Sequence, residues 1–215
     1  MKVLELFAGT RSISKAFEKR GHTTFTVEWN KDFENIDLYA DVLTVTAEDI
    51  RRLFGQPDVI WASPDCTTYS VSAIYHHRRK NSRTLSLDPI STYAKFCDMV
   101  NVHVIELIKE LKPVYWFIEN PVGGLRKMSF MRDLPLYTVT YCQYGDSRQK
   151  PTDIWTNHPN PDFKPMCKRG APCHVSAPRG SKTGTQGMKN AIEKARIPVL
   201  LCEHIVDICE FSTSC

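Results

Sequence analysis

The chain of 215 residues is 42% hydrophobic and 24% charged, which excludes disorder beyond a few loops and fits one α/β domain with an appendage rather than two full domains. Its net charge of +4 permits a polyanionic partner without demanding one. No apolar stretch approaches bilayer length and the opening V-L-E-L-F is too short for a signal-peptide core, so a cytoplasmic protein is expected.

Lys2 to Phe7 reads as a buried strand, and Ala8-Gly9-Thr10 turns it into a helix starting near Ser12, with Ile13, Ala16 and Phe17 on one face. Such a turn brings backbone N–H groups to a ligand's carboxylate or phosphate, and Gly9 permits close approach. A turn that binds nothing satisfies the same residues. Thr23 to Val27 is a β-branched strand ending in Glu28-Trp29. An acid there suits ribose hydroxyls, and the indole suits either a purine face or the core rim. Ile36 to Val42 reads as a third strand with Asp41 near its end, and Ala47 to Phe54 as a short helix.

Asp58 to Ala62 is a fourth strand stopped at Pro64. Cys66, within A-S-P-D-C-T-T-Y-S, therefore falls in a loop at a strand's carboxyl end, where open α/β sheets place their chemistry. A thiolate nucleophile and a small buried hydrophobe fit this loop equally. Residues 67 to 88 lack periodicity and read as a long loop containing the cationic run His76 to Arg83, suited to a binding lid or a solvated surface.

Ile90 to Leu111 has the apolar spacing of a long amphipathic helix and stops before Pro113. Val114 to Ile118 is wholly apolar, hence a central strand, and delivers Glu119-Asn120-Pro121 at its end. Tyr137 to Trp155 reads as a β-hairpin turning at Tyr144-Gly145-Asp146, with Arg148 and Lys150 at its mouth. From His158 to Gly187 the composition shifts to Pro, Gly, Lys and Ser, and Ile197-Pro198 opens a final helix. The expected organisation is a core over 1–157, a loop-rich appendage over 158–190, and a C-terminal helical segment over 191–215 packing back on the core.

The eight cysteines, at 66, 97, 142, 167, 173, 202, 209 and 215, follow no disulfide framework and read as reduced thiols. Cys167, Cys173 and His174 are near enough to share a metal, with His158 or Cys142 as a fourth ligand, and a structural zinc would staple a segment that lacks a core. C-x5-C-H is not a standard zinc-finger spacing, and unmetallated loop thiols fit it too.

The ordered series E-L-F-A-G-T, V-E-W, A-D-V, S-P-D-C-T-T-Y-S, I-E-N-P and Q-Y-G-D-S-R-Q-K resembles the cytosine-5 DNA methyltransferases over most of the chain. The resemblance implies a Rossmann-like S-adenosylmethionine-dependent fold: a mixed, mostly parallel sheet with helices on both faces. It implies that Phe7, Ala8, Gly9, Thr10 and Pro64 shape the cofactor pocket, Glu28 holds the ribose, Trp29 packs on the adenine, and Asp41 meets the adenine amino group. Cys66 would add to carbon 6 of the target cytosine, Glu119 would grip ring nitrogen 3 and the amino group, and Asn120 would support the catalytic loop. Arg148 and Lys150 would meet the flipped base or a nearby phosphate, and His76, His77, Arg78, Arg79, Lys80 and Arg83 would meet DNA phosphates.

The chain departs from the family pattern in several places. P-D-C replaces P-P-C, and the Asp65 anion would raise the thiol pKa. The R-x-R run keeps Arg148 but has Lys150, and the last motif lacks its Gly-Asn. Only about forty residues stand where the family carries a target-recognition domain, so selectivity is small, resides in the appendage, or comes from a separate specificity protein. So compact a form suits a phage or mobile element, in a bacterial or phage-infected cell. An exocyclic-amino methyltransferase is the nearest alternative, although it needs neither the cysteine nor the E-N-P acid. A catalytically silent nucleic-acid-binding or regulatory protein is the alternative from another class. RNA or a free nucleotide would also suit so small a recognition segment.

Overall fold

The strands at the centre of the chain are apolar at consecutive positions, and the fold shows why. Leu4, Leu6, Ile60, Ala62 and Ile118 point into one hydrophobic cluster, while Val3, Val59, Trp61 and Phe117 point into another on the opposite face. Side chains alternate across a strand, so a sheet covered on both faces needs apolar residues at every position. In this computed structural model, residues 1–83, 86–168, 170–175 and 191–211 are described. Part of the expected appendage, and the end of the terminal segment with Cys215, lie outside them.

Among the described residues seven strands form one sheet, in the order β3-β2-β1-β4-β7-β9-β8. They are β1 (Lys2–Leu6), β2 (Thr23–Glu28), β3 (Leu38–Tyr39), β4 (Val59–Ala62), β7 (Tyr115–Pro121), β8 (Leu136–Thr140) and β9 (Pro151–Thr156). The pairs from β3 to β7 are parallel, whereas β9 runs antiparallel to both β7 and β8. The strand order reverses between β1 and β4, so a crevice opens outside their carboxyl ends.

Helices α2 (Ala47–Leu53) and α4 (Thr92–Leu111) pack on the first face, and α1 (Ser12–Lys19) and α6 (Val199–Phe211), which follows the short α5 (Ala191–Ala195), on the second. Ser91 caps α4 by accepting from Ala94 N at 3.1 Å, and α4 ends at Lys112, which adopts a left-handed conformation before Pro113. Helix α1 lacks a side-chain cap of its own. The Glu5 carboxylate of β1 does that work, accepting from Ile13 N at 3.3 Å and Ser14 N at 2.8 Å. Burial outweighs those bonds and pushes the Glu5 carboxyl up to about 7.

Two segments differ from the sequence expectation. The third strand is only Leu38–Tyr39, because Asp41 accepts from Leu43 N at 3.0 Å and turns the chain into a 3-10 helix. Residues 67–88 are not a structureless loop. They contain a 3-10 helix (Thr67–Tyr69), α3 (Ile74–His77), and β5 (Arg78–Lys80) paired antiparallel with β6 (Leu87–Pro89).

Candidate active site

A cavity of about 350 Å³ opens at the carboxyl ends of β1 and β2. Phe7, Glu28, Trp29 and Asp41 line it together with Asp65 and the α4 residues Tyr93, Phe96, Cys97, Val100 and Asn101. Phe7 has φ +59°, a strained conformation for a bulky residue and one that recurs at functional sites. Gly9 is also left-handed at φ +47°, and a Cβ there would lie 3.6 Å from the Phe33 ring. Its amide donates to Glu28 Oε2 at 3.1 Å while Asn30 N donates to Oε1 at 2.9 Å. A carboxylate has about four acceptor sites, so Glu28 is oriented by the backbone and retains capacity for a ligand's hydroxyls.

Among the described residues the lining includes three carboxylates, Glu28, Asp41 and Asp65, and no Lys or Arg, which suits a cationic ligand with an apolar body. S-adenosylmethionine carries a sulfonium and an ammonium, and these residues fit it. Ala8 is buried beside this wall, with its amide bonded to Val27 O at 3.1 Å. Two expectations shift. Thr10 lines a separate groove with Lys15, Lys19 and Arg196, because the turn rotates its side chain towards the start of α1. Pro64 is not among the cavity-lining residues; its carbonyl instead accepts from Asn120 Nδ2 at 2.9 Å.

That last bond ties the end of β7 to the Cys66 loop, and the Oδ1 of the same buried Asn120 has no hydrogen-bond partner among the described residues. Cys66 is partly buried at the start of the Thr67–Tyr69 turn. Burial, then Asp65 and Glu119, push its thiol up to about 11, with Lys150 opposing. Glu119 is buried, and desolvation raises its carboxyl above the usual range. Tyr141 OH donates to Glu119 Oε1 at 2.9 Å. Lys150 sits 4.5 Å from the Tyr141 ring and donates to Lys194 O at 3.0 Å; burial lowers its pKa while Glu119 works against that shift. Cys66, Glu119, Asn120 and Lys150 thus share one electrostatic neighbourhood.

Arg148 does not join them as a reacting group. Its guanidinium is buried, pairs with Asp146, and donates to the carbonyls of Glu193, Lys194 and Arg196 at 3.1, 3.2 and 3.3 Å. With its donors spent, it locks the hairpin to the C-terminal segment. Arg78 is likewise no phosphate ligand. It is 3% exposed, stacks 4.1 Å from the Tyr69 ring, and donates to Asp98 at 2.7 Å and to Thr68 O at 3.0 Å. Its neighbours His76, Arg79, Lys80 and Arg83 are exposed, and His77 is bonded to Ser91 Oγ at 2.9 Å.

At the far side of the hairpin turn, Cys142, Cys167, Cys173 and His174 bring their ligand atoms within 4.8 Å of one another. Cys142 is thus the fourth member; His158 is buried elsewhere, paired with Ile208 O at 3.1 Å.

Sequence reasoning missed Tyr141 and the α4 wall of the cavity. For α4 a signal existed in the spacing of Tyr93 and Phe96, three residues apart and so on one helical face; that this face stays partly exposed and lines the cavity is a result of the tertiary structure. Tyr141 gave none, since an aromatic in a strand reads as core.

Comparison with known proteins agrees with this geometry. The family of C-5 cytosine-specific DNA methylases matches residues 1–138. A frog virus 3 (isolate Goorha) protein described as a "Probable DNA (cytosine-5)-methyltransferase" is 28% identical over 227 residues, covering 97% of this chain and 100% of the relative. Among solved structures, a prophage-encoded E. coli protein described as a DNA modification methyltransferase superposes with a TM-score of 0.54 at 18% identity, over 73% of this chain and 46% of its own. The Entamoeba histolytica methyltransferase EhMeth gives 0.52 at 12%, over 73% and 52%. The chain spans about half the length of these solved relatives, and at such identities they speak for the fold alone. Because the family match extends over more than half of the chain and takes in the Cys66 loop and Glu119-Asn120, the chain belongs to the C-5 cytosine-specific DNA methylases, enzymes that methylate carbon 5 of cytosine with S-adenosylmethionine.

Proposed function

We propose that Cys66 and Glu119 are the nucleophile and the ring-gripping acid of methyl transfer to carbon 5 of cytosine in DNA. The observation that carries this assignment is the buried Glu119, held by Tyr141 beside the Cys66 loop, with its carboxyl raised by desolvation. The Cys66 sulfur adds to carbon 6 of the base as its proton passes to solvent water, and the ring electrons move towards nitrogen 3 and carbon 5. Glu119, whose proton burial helps to retain, donates to nitrogen 3 as negative charge develops there, and carbon 5 becomes nucleophilic. Asn120 holds the loop through Pro64 O. Bound S-adenosylmethionine supplies the electrophilic methyl group, with Glu28 on its ribose, Trp29 on its adenine, Asp41 at the adenine amino group and Phe7, Ala8 and Gly9 shaping the pocket. Once the methyl is transferred and S-adenosylhomocysteine is left, solvent water takes the carbon 5 proton, the nitrogen 3 proton returns to Glu119, and the Cys66 thiolate is expelled as the ring is restored.

A base within a duplex cannot reach Cys66, so the target is flipped out, at a cost of a few kcal/mol. The exposed His76, Arg79, Lys80 and Arg83 supply phosphate contacts beside the site, and Lys150 supplies a cation near the flipped base. A structural zinc at the Cys/His cluster completes the cofactor set. The test is incubation with duplex DNA and methyl-labelled S-adenosylmethionine, followed by digestion to nucleosides. Labelled 5-methyldeoxycytidine, absent with Cys66→Ala, is expected. Label on an exocyclic amino group that survives Cys66→Ala would overturn the assignment.

A further inference from the structure

We propose that Cys142, Cys167, Cys173 and His174 bind one zinc ion, and that this ion fixes the turn whose two ends carry Tyr141 and Lys150. The first half stands on the cluster alone; the second rests on the methyltransferase reading above. Tetrahedral zinc with Zn–S of about 2.3 Å and Zn–N of about 2.0–2.1 Å places sulfur and nitrogen ligands roughly 3.6 Å apart. Cys167 Sγ lies 3.5 Å and Cys173 Sγ 3.7 Å from His174 Nδ1. Both sulfur–nitrogen spacings therefore already match a tetrahedral ion, and the four ligand atoms as a set, within 4.8 Å of one another, need only to contract onto it. Three soft sulfurs and an imidazole select zinc over harder cations, and binding releases the thiol protons to solvent.

The surroundings support the same assignment. Gln149 Nε2 donates towards Cys167 Sγ at 3.4 Å and Gln143 Nε2 towards Cys173 Sγ at 3.7 Å, the outer contacts that orient and stabilise thiolates. Cys167 N also donates to Thr140 Oγ1 at 2.9 Å, and Val175 N to Ser147 O at 2.8 Å. Residues 157–168 and 170–175 contain no helix or strand, and their apolar Met166 and Val175 are 50% and 65% exposed. Phe163 anchors the start of this segment on the core, but the stretch that carries Cys167, Cys173 and His174 has no such apolar anchor among the described residues. The turn it grips runs directly from Tyr141 to Cys142 and from Gln149 to Lys150. Lys150 has φ +29°, a strained backbone that persists only where its surroundings enforce it.

The experiment uses the full chain. Elemental analysis is expected to give about one zinc per chain, and cobalt exchange to give the visible bands of a tetrahedral ion together with thiolate-to-cobalt charge transfer. Cys173→Ser, at an exposed position, is expected to lose the metal, and His174→Cys to retain it with stronger sulfur charge transfer. A chain lacking both zinc and the cobalt spectrum overturns the site. For the second half, chelation is expected to speed hydrogen exchange across residues 141–150 by about tenfold or more, with reversal on adding zinc. Unchanged exchange in a protein that does bind zinc overturns the positioning role. Absence of methyl transfer by a zinc-loaded chain with a protected turn would count against the catalytic reading and leave the metal site standing.

Discussion

The phenol of Tyr141 donates to Glu119 at 2.9 Å, and both groups are buried. The bond opposes the desolvation that raises the Glu119 carboxyl. Removing it with Tyr141→Phe raises that pKa further, so the acid form persists to higher pH. The descending limb of the kcat–pH profile is expected to move upward, and unfolding free energy to fall by about 1–2 kcal/mol. An unshifted limb would separate Glu119 ionisation from the reaction.

A Cys66 thiol pushed up to about 11 is almost wholly protonated at neutral pH. Alkylation by iodoacetamide is expected to be slow at pH 7 and to rise about tenfold per pH unit towards that value. Asp65→Asn removes an anion that raises the thiol, so its alkylation curve should shift to lower pH. Mass spectrometry of the Cys66 peptide reads both.

Two adjacent arginines are expected to fail in different ways. Arg78→Ala leaves Asp98 without its cation beneath the loop and should cost about 3 kcal/mol in urea unfolding. Arg79→Ala, at an exposed position, should leave unfolding unchanged and reduce the salt dependence of DNA binding by about one unit of slope. Equal effects on stability would contradict the structure.

Trp29 lines the cavity yet is 70% exposed, an arrangement that suits stacking on a ligand. Trp29→Ala is expected to weaken S-adenosylhomocysteine binding by about 1 kcal/mol, roughly fivefold, with the melting temperature of the free protein unchanged. Titration calorimetry measures the first and differential scanning calorimetry the second.

Glu5 makes stability depend on pH. Its folded carboxyl lies at about 7 against an ordinary value of 4.5, so the stability it contributes is complete below that ordinary value and is lost as pH rises through 7. Between pH 5.5 and 8 the loss is expected to be about 2 kcal/mol. Glu5→Gln should flatten that slope in urea titrations.

The sequence by itself determined the α/β class, the parallel core and the residues that close its strands. Two-sided burial demands unbroken apolar runs such as V-I-W-A and Y-W-F-I, and the polar residues that end them, Glu28, Cys66 and Glu119, are legible because they interrupt a pattern. Tertiary structure alone decided which charges remain free. Arg78 and Arg79 are neighbours of the same type, yet strand pairing turns the first inward onto Asp98 and leaves the second in solvent. Arg148 likewise looked like a ligand cation until the C-terminal carbonyls were brought to it. The partners that decide these cases, Tyr141 for Glu119 and Cys142 for His174, lie 22 and 32 positions away in the chain, and local periodicity carries no information across such distances.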